Sequence, residues 1–318
     1  MSGADSSAAS PGKRVRRPQH RPGRVEGLLI RVLARLLWCL PLWLVHRIAG
    51  LLAALTFPFA RGARAVIGAN VGVAFPDWSA AEHARLVKRT FRHTYYLMAE
   101  TGLVWHGSRQ RWQSLIDRGP GQQLLEAGLA DAVAAGRGVL LLVPHFGNWE
   151  LLSLVLGEYG VVALYDPPRL LSLERPIRRA RERQGATLLP IDRRGIRGIL
   201  SALQSDGVVA ILPDQVPAPE AGVYAPFFGR PTLTMTLVHR LMARTRPVTL
   251  LLALQRRRDR FELVSERLPE AALADGTELE TATQINEATE RLVLRAPEQY
   301  QWSYKRYKRP PAGVPKLY

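Results

Sequence analysis

The chain holds one cysteine, Cys39, in 318 residues. That excludes an internal disulfide and a cysteine-based zinc cluster, and it fits a reducing compartment. Acids are scarce as well: 27 Asp and Glu face 44 Lys and Arg, a formal net charge of +17. Such an excess selects polyanionic partners: an anionic membrane face, phosphorylated lipid, an acidic protein or nucleic acid. A genome that writes arginine often is the competing account of the excess. No GxSxG elbow occurs, and Cys39 lies in an apolar stretch, so no protein nucleophile is evident. Helix-turn-helix, RNP-like and zinc-finger patterns are missing, as is any solenoid-period repeat. No metal-ligand cluster is visible either, so neither a metal nor a cofactor is expected.

What is present falls into three parts. Residues 1–24 form a basic arm of Ser, Gly, Pro and Arg with little apolar content, and this composition predicts disorder. Residues 25–62 contain "LLIRVLARLLWCLPLWLVHRIAGLLAALTFPFA", which has no acid. Trp38, Trp43, Phe57 and Phe59 suit a membrane interface, so the segment reads as a membrane-anchor helix or helical hairpin; a buried pair of core helices is the alternative. The basic arm and the arginine-rich body both claim the cytoplasmic side, which a hairpin lying in the cytoplasmic leaflet satisfies. Residues 63–318 form the third part. A Ser79–Glu82 capping box opens a helical region that runs to about residue 135. Six short apolar runs follow, at 139–144, 161–165, 187–191, 208–213, 248–254 and 261–265. Stretches of helical spacing lie between them, at 149–157, 176–184, 196–204 and 232–245, with a last helix at about 278–295. This alternation predicts an α/β fold with a largely parallel central sheet flanked by helices.

The first apolar run leads into "HFGNWE". Its strand ends near Pro144, which puts His145 at the carboxyl edge of the sheet, where α/β proteins place ligands. Gly147 allows a tight turn, Asn148 is a good N-cap, and Glu150 falls in the first turn of the next helix. The turn can fold Glu150 onto His145, giving a dyad in which a carboxylate holds one imidazole nitrogen and the other takes a proton from an alcohol. A purely structural histidine is the plainer reading. Between Arg169 and Arg197 nine arginines face Glu174, Glu182 and Asp192. Arginine's planar fork suits phosphate, although any one of these can simply be a solvated helix face. Asp214 and Gln215 follow the run at 208–213, at the same edge as His145 if the sheet is parallel; a turn-forming Asp is the alternative. The closing "YQWSYKRYK" could serve a membrane surface or RNA.

"HFGNWE" resembles the H-x4-D/E motif of glycerolipid acyltransferases, in the form used by the late acyltransferases of lipid A biosynthesis. "NVGVAFP" (70–76), "RARERQG" (179–185), "PDQVPAPEAGVYAPFFGRPTLT" (213–234) and "PEQYQWSYKRYK" (297–308) resemble further blocks of that family, in the same order. The resemblance implies a glycerolipid-acyltransferase-like fold at the bacterial inner membrane, with the catalytic domain on the cytoplasmic side. It implies transfer of a fatty acyl group from acyl carrier protein, or from coenzyme A, to a hydroxyl of a phosphorylated glucosamine lipid. His145 would be the general base and Glu150 its orienting partner. Gly147, Asn148, Arg181 (with Arg183 as the alternative register), Asp214, Gln215, Phe228 and Gly229 would contact substrate. Helix-start N–H groups near Asn148 are candidate oxyanion donors. Other lipid acceptors, and a basic membrane-tethered nucleic-acid binder, are the competing functions. No nucleic-acid partner is expected.

Overall fold

A computed structural model describes residues 23–318, so nearly all of the basic arm lies outside the described residues. Helices α1 (Arg24–Trp38), α2 (Leu42–Thr56) and α3 (Arg61–Ala74) lead into the long α4 (Ala80–His106), followed by the short α5 (Arg109–Ser114). The expected capping box starts α4. The Glu82 N–H donates to Ser79 Oγ, and the Ser79 N–H donates back to the Glu82 carboxylate.

Strands and helices then alternate: β1 (Ile116–Asp117), α6 (Gly119–Ala135), β2 (Val139–Leu142), α7 (Trp149–Gly157), β3 (Val162–Tyr165), α8 (Glu174–Glu182), β4 (Thr187–Pro190), α9 (Arg193–Gln204) and β5 (Val208–Ile211). A hairpin of β6 (Gly222–Phe227) and β7 (Arg230–Met235) intervenes before α10 (Leu237–Thr245), β8 (Val248–Arg256), β9 (Phe261–Arg267), α11 (Glu270–Asp275) and α12 (Glu278–Arg295). The seven-stranded sheet has the order β1-β9-β8-β2-β5-β3-β4, and only the β8–β9 pair is antiparallel. The chain is therefore α/β with a mostly parallel sheet, as the alternation predicts.

Both faces of that sheet are covered, which is why its strands read as continuous apolar runs rather than as alternating ones. On β2, Leu140 and Leu142 point into one core with Ile199, Met242 and Leu292, while Val139 and Leu141 point into the other with Leu125 and Leu154. All six apolar runs are strands. The helical reading of 232–245 needs correction: residues up to Met235 belong to β7, and the helix begins at Leu237. Phe228 and Gly229 both have positive φ, 47° and 71°. That is what a two-residue hairpin turn demands, and it pairs Phe227 with Arg230.

The apolar N-terminal segment is two helices, broken at Cys39–Pro41, and both lie against α4. Gly102 allows this approach, because a Cβ there would sit 2.2 Å from the Ala34 carbonyl oxygen of α1. The opposite face is bare: Leu29, Val32, Leu33 and Leu36 of α1 and Leu51 and Leu55 of α2 are exposed. Leu42–Phe59 is long and apolar enough to cross a membrane by length and composition, and 17% of it is buried within the protein.

The closing segment is not a free tail. Trp302, Arg306 and Tyr307 are 1–2% exposed. Asn70 of α3 donates to the carbonyls of both Trp302 and Tyr304, and the Arg306 guanidinium donates to Leu233 O and Thr234 Oγ1. Burial therefore accounts for Trp302, Arg306 and Tyr307, while Lys305 and Lys308 stay exposed.

Candidate active site

Parallel register builds the centre of the site. Leu142 of β2 is level with Ile211 of β5, so three residues further on His145 meets Asp214. The Asp214 carboxylate accepts twice from that residue: from the His145 main-chain N–H at Oδ2 (2.9 Å) and from Nδ1 at Oδ1 (2.8 Å). A carboxylate only accepts, so Nδ1 carries a proton, and in the neutral ring Nε2 is left with the lone pair. Burial pushes the Asp214 pKa up, but the His145 charge, the two hydrogen bonds from that residue and the Arg306 charge outweigh it and hold the carboxyl below its usual range. Asp214 is thus an ionised group inside the fold, 5% exposed. Tyr300, buried beside it, has its phenol pKa raised, by burial first and then by the Asp214 charge.

The other edge of the ring faces outward. Gln215 Nε2 lies 3.1 Å from His145 Nε2, and the Gln215 side chain is exposed, so it can move aside for another donor. A hydroxyl in that place would give its proton to a nitrogen whose partner carboxylate is already aligned.

Glu150 is placed differently from the expectation. It makes no hydrogen bond to His145. The Arg181 fork holds it instead, Nε to Oε2 at 3.0 Å and Nη2 to Oε1 at 2.6 Å. The reason is geometric: Asn148 caps α7 by accepting from the Leu151 N–H, and the helix carries Glu150 toward α8 rather than back over the ring. The expected Arg181–phosphate fork is therefore occupied by a carboxylate. The guanidinium lies 5.4 Å from the ring centres of both Trp149 and Tyr165. Arg183 is the arginine with open donors, since its buried Nε and Nη2 have no partner. Burial lowers its pKa.

Two residues missed from the sequence belong to the same neighbourhood. Trp149 packs edge-on against His145, with ring centres 5.0 Å apart, and its buried Nε1 has no acceptor. The Tyr165 hydroxyl, at the end of β3, also lacks a partner. Unsatisfied buried donors call for a partner, and a ligand or water entering beside His145 would supply one. At the start of α7 the Trp149 and Glu150 N–H groups are left without acceptors by helix geometry. By contrast, Phe228 and Gly229 occupy the β6–β7 turn, where the Phe228 N–H donates to Glu290 and its ring meets Phe75 and Trp302.

The loop itself is held from behind. The Gly147 N–H donates to Gln299 O, the Asn148 N–H to Leu254 O and the Gln301 N–H to His145 O. Asn148 Nδ2 donates to Glu100, which is fully buried and also takes Arg256 and His46. Gly147 has a φ of +61°, and a Cβ on it would meet Leu254 O at 2.0 Å. Gly147→Ala is therefore expected to cost more than about 1 kcal/mol of stability. It should also reduce turnover more than it reduces the folded fraction; thermal melts beside initial rates check this.

The model of the family described as bacterial lipid A biosynthesis acyltransferase matches residues 22–309, nearly the whole chain. The chain belongs to that family. Among curated relatives, the lipid A biosynthesis palmitoleoyltransferase of Escherichia coli K12 is 28% identical over 269 residues, covering 84% of this chain and 86% of its own. The lauroyltransferase of the same organism is 28% identical over 290 residues, covering 88% and 90%. A lipid A biosynthesis acyltransferase of Haemophilus influenzae is 26% identical over 269 residues, covering 80% of each. The protein is an acyltransferase of lipid A biosynthesis. In this acyltransferase the blocks that carried the resemblance converge: "NVGVAFP" through Asn70, "PEQYQW" through Gln299 and Gln301, and the Asp-Gln loop through Asp214 all touch one another or the His145 loop.

Proposed function

We propose that His145 is the general base of acyl transfer from an acyl carrier protein thioester to a hydroxyl of a phosphorylated lipid A precursor. The observation that carries this is the Asp214–His145 pair, with Nε2 turned toward the exposed Gln215. The acceptor hydroxyl displaces the Gln215 amide and donates to Nε2. Its oxygen attacks the thioester carbonyl as the proton passes to the imidazole. The Trp149 and Glu150 N–H groups lie at the positive end of α7, where a developing oxyanion is stabilised. Collapse expels the thiolate, which takes the proton from the imidazolium, leaving ester, thiol and neutral His145.

We assign to Asp214 the orienting role that the turn and the family resemblance assign to Glu150. Glu150 is a positioning residue that fixes Arg181 against Trp149 and Tyr165, and the open donors of Arg183 receive the acceptor's anionic group. The bare apolar face of α1 and α2 lies in the cytoplasmic leaflet of the inner membrane, which brings the site to lipid. The test is direct. Purified full-length protein with acyl carrier protein thioester and a phosphorylated glucosamine lipid should yield a product heavier by one ester-linked acyl chain. Absence of that product with both carrier protein and coenzyme A donors sinks the reading.

A further inference from the structure

A cavity of about 680 Å³ lies outside the His145 centre: none of His145, Asp214, Glu150 or Arg181 lines it. Its walls come from α4 (Arg89, His93), the end of β8 (Gln255, Arg256), the loop after it (Arg258) and the end of α12 (Arg295). Arg257 and Glu298 complete the charged lining. Arg89 pairs with Glu298, Arg257 and Arg295 with Glu262, and Arg256 with buried Glu100. Five arginines thus meet three carboxylates, even when the two carboxylates behind the wall are counted, and Arg258 has no partner among the described residues.

A surplus of two positive charges is not enough by itself, since arginines often crowd a surface without a ligand. A buried group adds a second observation: the Nδ1 of His93 in the cavity wall has no hydrogen-bond partner. Desolvation, then the nearby Arg256 charge, lowers the His93 pKa to about 3, so the ring is a neutral group with an open nitrogen. A buried ring N–H left unpaired is unfavourable unless an acceptor enters to meet it.

We propose that this cavity is an anion site for a phosphate monoester, distinct from the acyl-transfer centre. A monoester carries about −1.5 to −2 charge at neutral pH and three acceptor oxygens, which matches the surplus of the wall and the forked donors of Arg258 and Arg295. The volume exceeds that of a phosphate ion, so a phosphoryl group on a larger polar body, such as a phosphorylated sugar, also fits. The cavity shares structure with the His145 loop, because Gln299 lines it and accepts from the Gly147 N–H, while Arg256 and Asn148 both bind Glu100.

The experiment uses full-length protein in detergent micelles. Calorimetric titration with inorganic phosphate is expected to show binding that Arg258→Gln and Arg295→Gln each weaken about tenfold, or 1.4 kcal/mol. The His93 imidazole resonance should shift on phosphate addition in the wild type and stay still in the double variant. Phosphate binding that survives both substitutions, or an unmoved His93 resonance, overturns the site. A second arm, which alone rests on the acyl-transfer reading, identifies the source of the phosphate. A raised KM for phosphorylated acceptor at unchanged kcat in the double variant assigns it to the acceptor. An unchanged KM with phosphate binding lost assigns it to the free ion. The calorimetry needs no turnover, so its failure is separable from failure of the proposed reaction.

Discussion

Asp214→Asn is expected to lower kcat by about 10²–10⁴-fold, the range over which a positioned base acts, with the acceptor KM changed only a few-fold. The carboxylate uses both oxygens as acceptors, one for the ring and one for the main chain of the same residue. An amide can meet only one of them with oxygen and turns N–H against the other. It also cannot balance the imidazolium that forms when the hydroxyl proton arrives. His145→Ala should fall as far, and the double substitution little further, since the two act as a unit. Glu150→Gln should lose less, because its partner is Arg181 and one oxygen remains to accept from that fork. Steady-state kinetics on the four variants, with circular dichroism as the folding control, distinguish these roles. If Glu150→Gln were as inactive as Asp214→Asn while both were folded, Glu150 would act on the reacting atoms and not through Arg181.

The second large effect is on stability. Glu100→Gln is expected to destabilise the protein by about 3–5 kcal/mol, because it strands the Arg256 guanidinium, which is 5% exposed. Burial alone pushes the Glu100 pKa up; the Arg256 charge and the hydrogen bonds from His46 and Arg256 outweigh it and bring it below the ordinary value. The folded pKa is therefore the depressed one. Its contribution is complete above the unfolded value of about 4.3 and is lost as pH falls through the folded one. Denaturant midpoints should stay flat from neutral pH to about 5 and then drop in the wild type, with this drop reduced in Glu100→Gln. A variant within about 0.5 kcal/mol of wild type would mean that water reaches the pair.

How much of this was legible depends on range. Strand positions, the α7 N-cap at Asn148 and the start of α4 follow from local pattern, since each is decided by a few neighbouring residues. The Phe-Phe-Gly turn is legible only through the family resemblance, and the strands β6 and β7 on either side of it are not, because a phenylalanine at positive φ is not a usual turn signal; Glu290 on α12 holds it there. The partner of His145 was missed for a different reason. Glu150 is near in sequence, whereas Asp214 is 69 residues away and reaches the ring only through strand register. The signal was available, because both residues stand the same distance beyond the ends of two apolar runs, but using it needed the knowledge that those runs are adjacent. Glu100 offered a clue as well: an acid within "YLMAETGLVW" has little reason to be there unless it is paired.

His46 donates its place on α2 to something other than lipid. It binds Glu100 at 2.7 Å, the same carboxylate that takes the Asn148 amide, and Asn148 stands three residues from His145. The greasy N-terminal hairpin is therefore wired to the chemistry by two hydrogen bonds and one buried acid. Trimming it to obtain a soluble fragment would expose Glu100 and uncover the α4 face on which Gly102 and Ala34 meet. A tractable soluble form is better sought by replacing outward residues such as Leu29, Leu33, Leu36 and Leu55 with polar ones, so that the helices stay docked and only their bare apolar face is changed.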